Sequence, residues 1–217
     1  MKRTRLSANE RKALILRSAR RIFSKHGYEA ARTQDIARAA AVSEALMYRH
    51  FASKRILYQA VLRQTIREQN ESYEALGLAE LSGRGIVASI QGYFTLVASD
   101  GNDHLKEGFR LLLASLTGDG SFAKLIYRRS RRIMGERIRR ALEQARQDGD
   151  IVGCAIDERN TSMFIEHVGT MLNAIMAIGP QTAIYIGSRD QIVHDAVWFC
   201  CRGIGFTDAA LERHYGD

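Results

Sequence analysis

Residues 33–54 bring together side chains whose types and spacing suit a phosphate-bearing partner. Thr33 and Ser43 stand where helices are expected to begin, so a hydroxyl and the unpaired N–H groups of a first turn converge on one small volume, as a phosphate oxygen requires. Lys54 adds a cation at the start of a further helix, where the helix dipole disfavours it and a partner phosphate would explain it. Between these, Glu44, Ala45, Leu46 and Arg49 face outward from one short segment, with Gln34 as an accessory. An arginine pairs with guanine O6 and N7, a glutamate accepts from cytosine N4, and Ala or Leu meets a thymine methyl. Bland roles are open to the same residues: Thr33 and Ser43 as ordinary caps, Glu44 as a complement to the helix dipole, Arg49 as a phosphate contact.

The elements that must position these groups are short helices. Ile15, Ala19, Ile22 and Phe23 fall at i, i+4, i+7 and i+8, one apolar stripe of a first helix whose other face is rich in Arg and Lys. Gly27 is expected to stop it near His26, with Tyr28 folding back on the last turn. Thr33 is read as the cap of a second helix with Ile36, Ala37 and Ala40 inward and Asp35 in its first turn. Ala41 and Val42 make a turn, Ser43 caps a third helix, Glu44 to His50, and Met47 and Phe51 at i, i+4 point inward. Ser53 caps a fourth from Lys54. Two short helices across a tight turn, propped by a longer one, form a helix-turn-helix.

The run Gly27-Tyr28-x4-Thr33-x-Asp35-Ile36-Ala37-x2-Ala40-x-Val42-Ser43-x-Ala45-x-Met47-Tyr48-x-His50-Phe51-x-Ser53-Lys54-x2-Leu57 resembles the N-terminal signature of the TetR family of bacterial transcriptional regulators. The resemblance spans about 45 residues, Ile15 to Leu57. It implies that Tyr48 and His50 grip the DNA backbone, that a homodimer presents two such helices to a roughly palindromic operator, and that a small inducer controls release. Ala31 and Arg32 stand where Thr-Thr is common, and Ala41 and Ala45 where Gly is frequent. Ala41 carries the expectation that this turn needs no left-handed residue.

Charge agrees with a polyanionic partner for the first part only. Residues 1–63 carry 15 Lys/Arg against 4 Asp/Glu, and the other 154 carry 17 against 20. Such asymmetry fits phosphate neutralisation with counterion release. The alternative class is a non-catalytic helical module whose basic N-terminus binds RNA, a membrane surface or another protein. Helices that break every seven to ten residues lack the continuous apolar face of a membrane-surface helix. Arg3 and Arg5 form a possible minor-groove arm ahead of the first helix, although such a tail is usually solvated.

Composition otherwise describes a globular chain. Of 217 residues, 46% are apolar and 26% charged, with one proline, which favours long helices. No apolar run is long enough to span a bilayer and no signal-peptide stretch follows the basic start, so a cytoplasmic location is expected. Cys154, Cys200 and Cys201 have no zinc-site spacing and suggest no disulfide framework, so neither metal nor cofactor is expected. Phosphate-loop, nucleophile-elbow and zincin motifs do not occur, and Glu166 and His167 with His194 make too sparse a cluster for catalysis.

The expected fold is all-α, with a helix-turn-helix domain over residues 1–53 and a ligand-binding and dimerisation domain over 54–217. After the fourth helix, which ends near Ala75, helices are read at 86–99, 104–116, 121–148, 157–178 and 190–202, with a tail helix from Thr207. Helices 157–178 and 190–202 are apolar around most of their circumference, so they are read as burying one side in the core and another against a second subunit. The family resemblance implies the same pair. Phe94, Phe109, Leu113, Tyr127, Met134, Phe164, His167 and Met171 are candidates to line a cavity for an apolar inducer, with a solid core as the bland reading. Gln91, Tyr93, His167 and Asn173 each need a polar partner if buried. Arg128, Arg132, Arg139 and Arg146 make a stripe that is ordinarily a solvated face.

Overall fold

The computed structural model describes residues 7–74, 80–99, 103–153, 156–177 and 184–215, with backbone alone at 72–74, 103, 133, 134 and 158. Arg3, Arg5, Cys154 and the Gly179-Pro180 boundary lie outside these residues, as does the Met134 side chain. The order is α1 (Ala8–Ala30), α2 (Thr33–Ala39), α3 (Glu44–His50), α4 (Lys54–Glu74), α5 (Gly83–Ala98), α6 (Asp103–Leu116), α7 (Ser121–Gln147), α8 (Glu158–Met176), α9 (Arg189–Ile204) and α10 (Asp208–Tyr215). Among the described residues the sole β feature is an isolated bridge between Ile151 and Phe206. The fold is all-α.

Local chemistry accounts for the helix ends. Ser7 and Glu10 close a reciprocal capping box, with Ser7 Oγ accepting from the Glu10 amide at 3.2 Å and Glu10 Oε2 accepting from the Ser7 amide at 2.7 Å. These bonds to the ionised form hold the Glu10 carboxyl below its ordinary pKa. Gly27 sits at φ +71°, and the chain then makes one more helical turn to Ala30, so the first helix is kinked at the expected stop and not ended there.

Two compact units result: residues 1–69 with 103–124, and residues 70–102 with 125–217. In the first, α1 packs on α6 and α2. Phe23 is fully buried, with the Tyr58 ring 4.8 Å away edge-on, and Tyr28 folds back to within 6.2 Å of Phe23. Tyr58 also donates to Asp119 at 3.3 Å, and burial with that carboxylate raises its pKa. Gly108 lets α6 approach α4 closely, since a Cβ there would lie 2.9 Å from Gln69 Nε2.

In the second unit, α5 is the centre, packed against α8, α9 and α10. Gly169 permits the α5–α8 contact, because a Cβ at that position would stand 2.4 Å from the Tyr93 ring. Tyr93 Oη donates to the Glu166 carbonyl at 3.3 Å and Asn173 Nδ2 donates to the Val97 carbonyl at 2.9 Å, so both find protein partners. Buried Asp150 accepts from Arg213 and His214, each at 2.7 Å, and fastens α10 to the same unit.

Candidate nucleic-acid interface

The candidate recognition helix α3 is built from its caps. Ser43 Oγ accepts from the Leu46 amide at 3.1 Å, and the last turn closes on Phe51, whose amide donates to the Met47 carbonyl at 3.0 Å. Met47 is 1% exposed and Phe51 is buried, so one side of this seven-residue helix is fixed inside the unit. The other side follows geometrically. Ala45, Tyr48 and Arg49 are exposed on it, with Leu46 and His50 half-buried at its edges, and Gln34 is exposed on α2.

Three expectations change. Thr33 is the first residue of α2 and not its cap; Arg32 holds the cap position without a side-chain bond, and the Thr33 hydroxyl donates instead to the Glu44 carboxylate. That bond ties the start of α2 to the start of α3, a link between residues too far apart in sequence for capping patterns to register. Ala41 adopts φ +51°, so the turn does need a left-handed residue even without glycine. The turn is pinned there by the Ala41 amide to Arg38 O at 3.1 Å and the Val42 amide to Ala37 O at 3.0 Å. Lys54 has protein partners that explain its position without a phosphate: its Nζ donates to the Glu29 carbonyl at 3.0 Å and lies 4.7 Å from the Tyr28 ring centroid. The ammonium closes the end of α1, 25 residues away in sequence.

Two further exposed cations, Arg32 and Arg38, flank Gln34 on α2. Arg38 also meets Asp35 at 3.4 Å in a solvent-exposed pair, which contributes little to stability. The motif alone does not single them out; their positions just before and one turn after Thr33 are the available signal. What the whole face offers is hydroxyl, guanidinium and amide groups on a rigid, cationic support, a chemistry of phosphate and base-edge recognition.

Residues 15–61 match the model of bacterial regulatory proteins of the tetR family. Over that N-terminal segment the chain is similar to the TetR family. Among curated relatives it is similar to the transcriptional activator FasR of Mycolicibacterium smegmatis, with 31% identity over 109 residues, covering 50% of this chain and 48% of FasR. The chain spans about half the length of such relatives or less. A tetR-family regulatory protein from Rhodococcus RHA1 matches with TM-score 0.69 at 19% identity, over 94% of this chain and 100% of that one. AibR, solved with isovaleryl coenzyme A and operator DNA, matches with TM-score 0.66 at 20% identity, over 88% and 97%. At these identities the structural likeness is one of fold.

Of the eight residues nominated for an inducer cavity, all but Met134 have described side chains. Phe94 is fully buried in the second unit, whereas Phe109 and Leu113 belong to α6 in the first. Phe164 and Met171 face outward on α8, 57% and 51% exposed. Tyr127 and His167 do meet, Oη to Nε2 at 3.0 Å with the rings edge to face, and beside them burial pushes the Glu166 carboxyl up to about 7 against the opposing pull of Arg129. Of the polar residues expected to need partners, Tyr93, His167 and Asn173 therefore find them in the protein. Among the described residues no group of three His, Cys, Asp or Glu side chains could hold a metal. Free Cys200 and Cys201 are buried, and burial raises the Cys200 thiol to about 11. No helix among the described residues is long and apolar enough to cross a membrane.

On α7 the arginine stripe is partly neutralised by its own helix: Arg139 holds Glu136 at 2.7 Å and Glu143 at 2.6 Å. On α8 and α9 the reverse is found. Phe164, Met171 and Phe199, the last 71% exposed, leave apolar surface uncovered.

Proposed function

We propose that this chain is a TetR-like, sequence-specific DNA-binding transcriptional regulator, acting in the cytoplasm as a homodimer and released from its operator by a small, largely apolar ligand. The observation that carries the reading is α3: capped by Ser43, anchored by Met47 and Phe51, and presenting Ala45, Tyr48 and Arg49 outward. In this reading residues 1–53 bind DNA and residues 54–217 hold the ligand and the dimer seam, with Thr33, Gln34, Ser43, Glu44, Leu46, His50 and Lys54 completing the DNA face. The exposed apolar residues of α8 and α9 support a two-fold seam that sets two recognition helices on one duplex.

Support for a ligand comes from AibR, which holds isovaleryl coenzyme A together with operator DNA. A ligand that prefers one arrangement of α4 shifts the helix that leaves the DNA-binding motif directly, and with it the spacing of the paired α3 helices. Repression is the first reading; the activator FasR favours activation as the second.

Selection of duplexes from a random-sequence pool, followed by titration against a scrambled duplex, tests the proposal. The selected duplex should bind on the order of a thousandfold more tightly, with affinity falling steeply as salt rises. Equal affinity for both duplexes rejects it. Placing the selected site upstream of a reporter then separates repression from activation.

A further inference from the structure

Arg20 is a charged residue on an otherwise buried part of α1, 3% exposed. Its guanidinium uses three nitrogens on three partners from two other helices: Nε donates to Glu107 Oε2 at 2.8 Å, one terminal nitrogen to Glu68 Oε2, and the other to His104 Nδ1. Gln64 extends the network by donating to the second oxygen of Glu68 at 2.8 Å. Burying such a group is costly unless every donor is met, and an apolar side chain would fill the same space at less cost. A guanidinium here therefore calls for a role beyond cohesion.

The partners' positions supply one. The chain passes from the first compact unit to the second between residues 69 and 70 and returns between 102 and 103. Glu68 stands one residue before the first crossing, and His104 and Glu107 lie in the opening turns after the second. Arg20 thus fastens α1 to both strands of chain where they enter the unit. Ile15, Ala19 and Phe23 of the same helix are fully buried, so the register of α1 is the register of the support beneath α2 and α3.

We propose that Arg20 is a positioning residue for DNA reading: a buried charged joint that fixes the register of α1, and through it of the candidate recognition helix α3, against α4 and α6. This rests on the regulator reading above. A planar fork with three fixed donors holds one register, which an apolar contact does not.

The test compares the full-length chain with two variants, the apolar triple Arg20→Met/Glu68→Leu/Glu107→Leu and the single Arg20→Lys, on a duplex selected by the unaltered protein and on its scrambled counterpart. The triple variant should keep its melting temperature within about 4 °C yet lose about tenfold or more in affinity for the selected duplex, with the scrambled duplex unchanged. Arg20→Lys keeps the charge but not the fork and should lose selected-duplex affinity in the same selective way. Wild-type affinity in both variants, or equal losses on the two duplexes, overturns the joint. A parent chain that selects no duplex overturns the regulator reading, and the joint with it.

Discussion

The outward faces of α3 and of the α8–α9 pair are opposites. On α3 a seven-residue helix buries Met47 and leaves Ala45, Tyr48 and Arg49 in solvent; on α8 and α9 long helices bury Leu172 and Val197 and leave Phe164, Met171 and Phe199 in solvent. Both are half-finished surfaces. The first is cationic and hydrogen-bonding, suited to a partner that brings its own phosphates and stays exchangeable. The second is apolar and suited to permanent burial against another copy. The difference shows that exposure alone says little about a partner, whereas the chemistry of what is exposed separates a partner that is read from one that is kept.

The strongest way to break this contrast is beneath α3. Met47→Ala empties a fully buried site and should cost about 2–5 kcal/mol in a denaturant titration, taking DNA binding with it; a loss below 1 kcal/mol would mean that α3 is not propped as described. Next, Phe199→Glu should turn a dimer into a monomer in sedimentation at micromolar concentration while barely moving the unfolding transition of the monomer, since the side chain is already in solvent. A dimer that persists would place the seam elsewhere. Arg49→Ala sharpens the other side: a loss of about 1–3 kcal/mol restricted to some operator positions marks base reading, and a uniform loss marks a phosphate contact.

A fourth prediction concerns pH. Burial raises the folded pKa of Glu166 to about 7 from its ordinary 4.5, so the folded state binds its proton more tightly than the unfolded chain. The associated stability is present below about pH 4.5 and is lost as pH rises through about 7. Glu166→Gln should flatten that slope in unfolding curves measured between these limits. An unchanged slope would remove Glu166 as its source. The smallest effect is expected at Ala41→Gly, where relief of a left-handed backbone is offset by chain entropy, giving a gain of at most about 1 kcal/mol by thermal melting.

Legibility followed sequence distance. Ser43, Met47 and Phe51 report on one another within a turn or two, so α3 and its exposed Ala45 and Arg49 can be read directly, whereas Gly27 marks a kink that the pattern takes for an end and Glu44 and Leu46 are half-buried. Lys54 was different, because its carbonyl partner lies on another helix. Arg20 sits among Arg and Lys residues that are solvated, and its partners stand 48 to 87 residues away, beyond any periodic pattern. On α8 the apolar residues encircle the helix, and periodicity does not say that Leu172 faces α5's unit while Met171 faces out. The DNA-contact and inducer residues stand as proposals, since Thr33 and Glu44 are occupied with each other and the nominated cavity residues are spread over both units.

That occupation bears on how finely an operator is discriminated. With its first carboxylate held by a neighbouring hydroxyl, α3 has few side chains left to interrogate base pairs directly. Under the proposed function, specificity would then lean on the bending and groove width of the duplex between two half-sites, so operators sharing few letters but one deformability would be treated alike.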